Sequence, residues 1–145
     1  MIRLVETKDI DQLIPLVKAF YDESLSKYGF PMSEEVVKAT IEHHIKNESG
    51  LVLEIDNKVV GTIAGQFVEL MGSGQKVFQE VIWYVLPEYR KYGLKLFDET
   101  EEHCKRIGMS AIIMGYMGNL NCEKMDRFYK RHGYEPLEVQ WIKKL

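Results

Sequence analysis

The stretch from Gln79 to Phe97, QEVIWYVLPEYRKYGLKLF, admits few local structures. Val81, Ile82, Trp83, Tyr84, Val85 and Leu86 form an unbroken apolar and aromatic run, which suits an enclosed strand. Pro87 cannot donate a ladder hydrogen bond, so the strand stops there and Pro87-Glu88-Tyr89 turns the chain. A helix then opens near Arg90 to Gly93. Its start has an inverted charge pattern. A helix N-terminus carries free N–H groups and partial positive charge, so acids normally stabilise it. Here Arg90, Lys91 and Lys95 crowd that end, and Asp98, Glu99, Glu101 and Glu102 come later. The pattern makes sense if an anion completes the site, because such an end binds phosphate and Gly93 lets a ligand approach the backbone. The same residues also suit a helix with solvated lysines and a tolerated glycine.

The rest of the chain builds an α/β pattern around this unit. Met1 to Val5 reads as a first strand, with Thr7 or Asp9 able to cap the helix that follows. Ile10, Leu13, Ile14, Val17, Phe20 and Tyr21 recur at helical spacing, and Pro15 fits best in a first turn, so the helix is placed from about Leu13. Ser33-Glu34-Glu35 starts a second helix that runs to about Asn47. Leu51 to Ile55 and Val59 to Leu70 flank Asp56-Asn57-Lys58, an antiparallel hairpin in which Gly61 and Gly65 suggest a bulge or a close approach. Leu96, Phe97, Thr100, Cys104 and Ile107 are the buried stripe of the helix after the central strand, and Gly108 ends it. Ala111 to Met114 is a further strand. A helix directly between two buried strands predicts parallel pairing of those strands. A short helix over Glu123 to His132 and a last strand over Val139 to Lys143 complete the pattern.

Two segments together resemble the GNAT acetyltransferases. That family's coenzyme-binding pattern is Arg or Gln, two residues, Gly, one residue, then Gly or Ala. The chain has Arg90-Lys91-Tyr92-Gly93-Leu94-Lys95 after a strand ending Val85-Leu86-Pro87, with Lys95 standing where the family has a small residue. The second segment, Tyr129-Lys130-Arg131-His132-Gly133-Tyr134, is similar to the family's Tyr, three residues, then Gly-Phe or Gly-Tyr. The resemblance implies one domain over residues 1–145, with a mixed central sheet of about six to seven strands and about four helices. It implies N-acetyl transfer from acetyl-coenzyme A to a primary amine by direct attack.

The resemblance also assigns roles. Backbone N–H groups of Lys91, Tyr92, Gly93, Leu94 and Lys95 hold the coenzyme diphosphate, and Arg90 caps the loop or meets a phosphate. The main chain of Trp83, Tyr84 and Val85 pairs with the pantetheine arm like an added strand, and a free N–H at Tyr84-Val85 polarises the carbonyl. Asn121, with Asn119 as the second match, meets the arm or the phosphate region. Tyr129 protonates the departing thiolate. Glu80 is the candidate base, placed by alternation on one face with Ile82 and Tyr84, among apolar neighbours that raise its pKa. An exposed strand-end Glu80 with a water chain as base, and a Tyr129 that only packs its helix, are the alternatives. A coenzyme-binding domain without turnover, or an α/β interaction domain without coenzyme, are the rival functions.

Composition narrows the partners. The net charge of −3 over 145 residues offers nothing for nucleic acid and is compatible with an amine, small or protein-borne. Cys104 and Cys122 make no disulfide framework, no His/Cys spacing suggests a metal, and the adjacent His43-His44 pair is read as surface or interface. No signal-like or membrane-spanning run is seen, so a cytoplasmic setting is expected. Exposed Trp141 in the last strand hints at a homodimer edge.

Overall fold

The computed structural model describes all residues 1–145. Five strands form one sheet in sequence order: β1 (Ile2–Leu4), β2 (Gly50–Ile55), β3 (Lys58–Glu69), β4 (Lys76–Val85) and β5 (Ala111–Ile113). The first four pair antiparallel, and β5 pairs parallel to β4. The βαβ expectation thus holds for the crossover from β4 to β5. Four helices cover the sheet: α1 (Ile10–Ser24), α2 (Glu34–Asn47), α3 (Gly93–Arg106) and α4 (Cys122–Arg131).

Two apolar clusters lie on opposite faces. Val52 of β2 packs with Ile10, Leu13 and Leu16 of α1 and Ile41 of α2. Its neighbours Leu51 and Leu53 pack with Leu96, Phe97 and Cys104 of α3 and Tyr129 of α4. Successive strand side chains point to opposite faces, so one apolar strand serves both helix layers. The β2–β3 turn is tight, with Asp56 and Asn57 both at positive φ, as a two-residue hairpin turn requires.

Four expectations are corrected. The sheet has five strands, not six to seven, because Val139–Lys143 forms no strand. Val139 and Trp141 are 78% and 92% exposed, and the tail meets the α1–α2 loop instead, where Lys144 lies over the Phe30 ring. Strand-forming side chains do not make a strand without a ladder to join. Helix α1 starts at Ile10 rather than Leu13, with Pro15 inside it. The carbonyl that Pro15 cannot satisfy belongs to Asp11, which is exposed and reachable by water. Asp9 caps no α1 amide. It is buried, accepts from the Glu6 N–H at 2.8 Å and pairs with Arg3 at 2.7 Å. The fourth correction concerns His44, which is buried at 5% exposure while His43 is exposed. His44 continues the inward stripe of Val37 and Ile41 along α2.

Candidate active site

The site starts from an irregularity in β4. Ala64 of β3 faces Ile82, but the next residue, Gly65, faces Glu80, so Val81 is an extra residue bulged out of the ladder. Glycine is required opposite the bulge. A Cβ on Gly65 would lie 2.5 Å from the Gln79 carbonyl oxygen and 2.5 Å from the Phe78 ring. The bulge reverses the inward–outward parity of β4. Before it, Phe78 points to the α3–α4 face. After it, Trp83 and Val85 do so, and Ile82 and Tyr84 point to the α1–α2 face. Glu80 therefore does not share a face with Ile82 and Tyr84, which corrects the alternation argument.

The bulge also ends the pairing with β5. Parallel pairing covers only Val77, Phe78 and Gln79. Beyond Gln79 the two strands part and leave β4 with an open edge. The Leu86 N–H donates to the Val60 carbonyl of β3 at 2.9 Å. Antiparallel ladders alternate, so Tyr84 and Ile82 also bond to β3, while Trp83 and Val85 turn their main-chain groups to the open edge. The Val85 carbonyl there accepts from Arg90 Nε at 3.3 Å. The Tyr84 side chain leaves in the other direction and donates to Glu23 of α1 at 2.6 Å. Burial first, then the Glu23 carboxylate, push the Tyr84 phenol up to about 12.

Glu80, Tyr129 and Tyr116 meet at the mouth of this opening. The Gly115 N–H, just beyond β5, donates to Glu80 Oε2 at 3.2 Å, and Tyr129 Oη donates to the Gly115 carbonyl at 2.7 Å. One residue thus ties the two candidate catalytic groups together. Burial raises the Glu80 carboxyl to about 7, and the Gly115 N–H opposes the shift. Tyr129 is 8% exposed, and burial, reinforced by the Glu80 charge, holds its proton far more firmly than an ordinary phenol does. Tyr116 stacks on Tyr129 at 6.4 Å between ring centroids and donates to Asp126 at 2.6 Å.

The phosphate-loop candidates lie at the other end of the open edge. Pro87–Tyr92 form a 3-10 turn that runs into α3 at Gly93. Lys91, Tyr92, Leu94 and Lys95 are exposed, and Arg90 pairs with Glu23 at 3.1 Å. Gly93 is buried with φ −59°, an ordinary helical value. A Cβ there would find Val85 and Trp83 at 3.9 and 4.0 Å, ordinary contact distances. Nothing within the protein demands glycine at this position. A ligand entering between the start of α3 and the open edge of β4 would. The residues present therefore fit a coenzyme with a diphosphate and an extended arm. Asn121 precedes α4 in a left-handed conformation, exposed, and caps no amide with its side chain.

A cavity of about 450 Å³ opens on the opposite face, between α1, α2 and β4, and reaches the sheet at Val81 and Ile82. His44 lines it. Its Nδ1 lies 2.8 Å from Ser49 Oγ, and its Nε2 is a buried polar atom without a hydrogen-bond partner. Burial first, then neighbouring His43, lower the His44 pKa; the Gly65 main chain opposes this without completing a hydrogen bond. Leaving such an atom unpaired costs about 1–3 kcal/mol. The sequence reading missed Gly115, Glu23 and His44. Only His44 carried a signal, its place in the α2 stripe.

A sheet split beside a half-buried carboxylate and a buried phenol, with a phosphate-type loop at one end, defines an α/β acyltransferase domain. The sequence model of the acetyltransferase (GNAT) family matches residues 13–134. The chain belongs to that family and is an N-acetyltransferase; such enzymes generally take their acetyl group from acetyl-coenzyme A. The S-alkylcysteine N-acetyltransferase of Bacillus subtilis (strain 168) is 30% identical over 142 residues, spanning 92% of this chain and 77% of that protein. Among solved structures, an aminoglycoside acetyltransferase from an uncultured soil metagenomic sample superposes with a TM-score of 0.76 at 18% identity, covering 100% of this chain and 95% of the other. A transcriptional regulator from Bacillus halodurans C-125 superposes with a TM-score of 0.75 at 17% identity, covering 100% and 99%. At those identities the structures share the fold.

Proposed function

We propose that this chain acetylates the primary amine of a small molecule by direct attack, with Glu80 as base and Tyr129 as proton donor. The observation that carries this reading is the convergence of Glu80 and Tyr129 on Gly115, beside the opening of the sheet. Acetyl-coenzyme A supplies an activated acetyl group. The chain supplies binding and proton movement. The open main-chain groups of Trp83 receive the pantetheine arm, and the amides of Lys91 to Lys95 receive the diphosphate. Lys95 adds a point charge, and Asn121 is the polar contact for the arm. The Tyr84 amide is spent in the ladder, so polarising the acetyl carbonyl falls to Val85.

An ammonium has no lone pair with which to attack, so a proton must leave it first. A carboxylate with a pKa near 7 is suited to take it at neutral pH, and Glu80 meets that condition. Tyr129 keeps its proton at Oη, hydrogen-bonded to Gly115, available to a departing thiolate. The Bacillus subtilis relative, named for S-alkylcysteine, supports a small-molecule acceptor over a protein one.

Two variants test the parts separately. Gly93→Ala should leave stability unchanged or raise it by up to about 1 kcal/mol, because alanine favours the helix. It should weaken acetyl-coenzyme A at least about tenfold by titration calorimetry, since the new methyl stands toward the β4 edge. Unchanged affinity would place the coenzyme elsewhere. Tyr129→Phe should lower kcat by about 10²-fold in a thiol-release assay while coenzyme binding holds. An unaltered kcat would remove Tyr129 from the proton path.

A further inference from the structure

None of the residues assigned to the coenzyme lines the cavity between α1, α2 and β4. It is lined by 18 residues, of which 13 are hydrophobic, among them Val17, Phe20, Val37, Val81 and Ile82. No aspartate, glutamate, lysine or arginine lines it. Val81 and Val36, both lining residues, are 43% and 63% exposed, so the apolar wall continues to the surface. The cavity reaches β4 at the two residues that follow Glu80.

We infer that the acceptor is a primary amine carrying an uncharged, apolar side group that occupies this cavity. The inference rests on the acyl-transfer reading above and names its substrate class. A polyamine or an aminosugar would have to place further ammonium groups against valine, isoleucine and phenylalanine without a counter-charge, and a buried unpaired charge is strongly disfavoured. An apolar group gains from the same wall in proportion to the area it hides from water. An apolar cavity of about 150 Å³ takes up benzene, so about 450 Å³ holds an aromatic or branched alkyl group together with its linker. Val81 lines the cavity and directly follows Glu80 in β4, so an amine at the end of the apolar group reaches Glu80 by passing through the sheet opening at the bulge.

The test is a panel of amines with acetyl-coenzyme A and thiol detection, paired with calorimetric binding of each amine to the unmodified protein. Phenylethylamine, S-benzylcysteine and a leucyl dipeptide present the apolar group as a free amine, an amino acid and a peptide N-terminus. Spermidine and lysine amide are the polar arm. At least one apolar compound is expected to exceed spermidine about 100-fold or more in kcat/KM. Val37→Trp, which fills the cavity, should raise KM for that compound about tenfold or more and leave acetyl-coenzyme A affinity unchanged. Preference for spermidine with coenzyme binding intact would overturn the apolar class and leave acyl transfer standing. Binding of apolar amines without any coenzyme binding would uphold the cavity assignment and overturn the acyl-transfer reading. Binding of neither would overturn both.

Discussion

Glu80→Gln is expected to lower kcat/KM by about 10²–10⁴-fold, the range that a positioned general base contributes. The wild-type profile should carry an acid limb near pH 7, because burial raises this carboxyl to about 7 and only the ionised form takes a proton. Below that value the rate should fall about tenfold per pH unit. In the variant the limb should vanish, since the amide does not titrate. A limb that survives would assign the ionisation to another group. Stability changes in the opposite sense. A carboxyl whose folded pKa is raised binds more protons folded than unfolded, so it destabilises the fold as pH rises from about 4.5 through about 7. Glu80→Gln should therefore gain up to about 3 kcal/mol at pH 8 and nothing at pH 4, less where water reaches the carboxylate. Urea titrations at the two pH values separate this from a general loss of structure. A less active, more stable variant is the expected signature of a functional, partly desolvated charge.

Gly65→Ala is expected to cost about 3 kcal/mol or more, read as a lowered denaturation midpoint. The new methyl would stand 2.5 Å from a carbonyl oxygen and an aromatic ring in the middle of the sheet, where neither has room to retreat. Any population that still folds must shift the bulge, and the shift would carry Glu80 away from Gly115. Activity should therefore fall by more than the loss of folded protein accounts for. Gly72→Ala is the control. Gly72 has positive φ, +72°, but nothing lies within 4 Å of its Cβ position, so only the backbone cost of about 1 kcal/mol applies. Equal losses at the two sites would refute the packing argument.

Much of the fold was legible because its determinants are local. The helix over Glu34–Asn47 announces itself by Ser33, whose hydroxyl accepts the Val36 N–H at 3.3 Å. The hairpin follows from Asp56-Asn57, and the crossover from two buried strands with one helix between them. The failures share a cause. Pro15 inside α1 and the unpaired tail at Val139–Lys143 depend on what surrounds them: water at the Asp11 carbonyl, and no strand edge for the tail to join. Local propensity carries neither. Within the site, Gly65 hinted at the bulge, but its effect on Glu80 required knowing which residue of β4 lies opposite.

The amino-acid order determined the elements, the crossover and the phosphate-type loop, because periodicity, turn residues and motif spacing act over a few residues; the candidate pair Glu80 and Tyr129 came from the resemblance to the GNAT family. Only the tertiary structure decided that Val81 bulges, that β4 and β5 part after Gln79, that Gly115 joins the acid to the base, and that an uncharged cavity lies across the sheet at Val81 and Ile82. Those features depend on register between strands and on contacts between residues far apart in the chain, and a one-residue change of register turns every following side chain to the other face of the sheet.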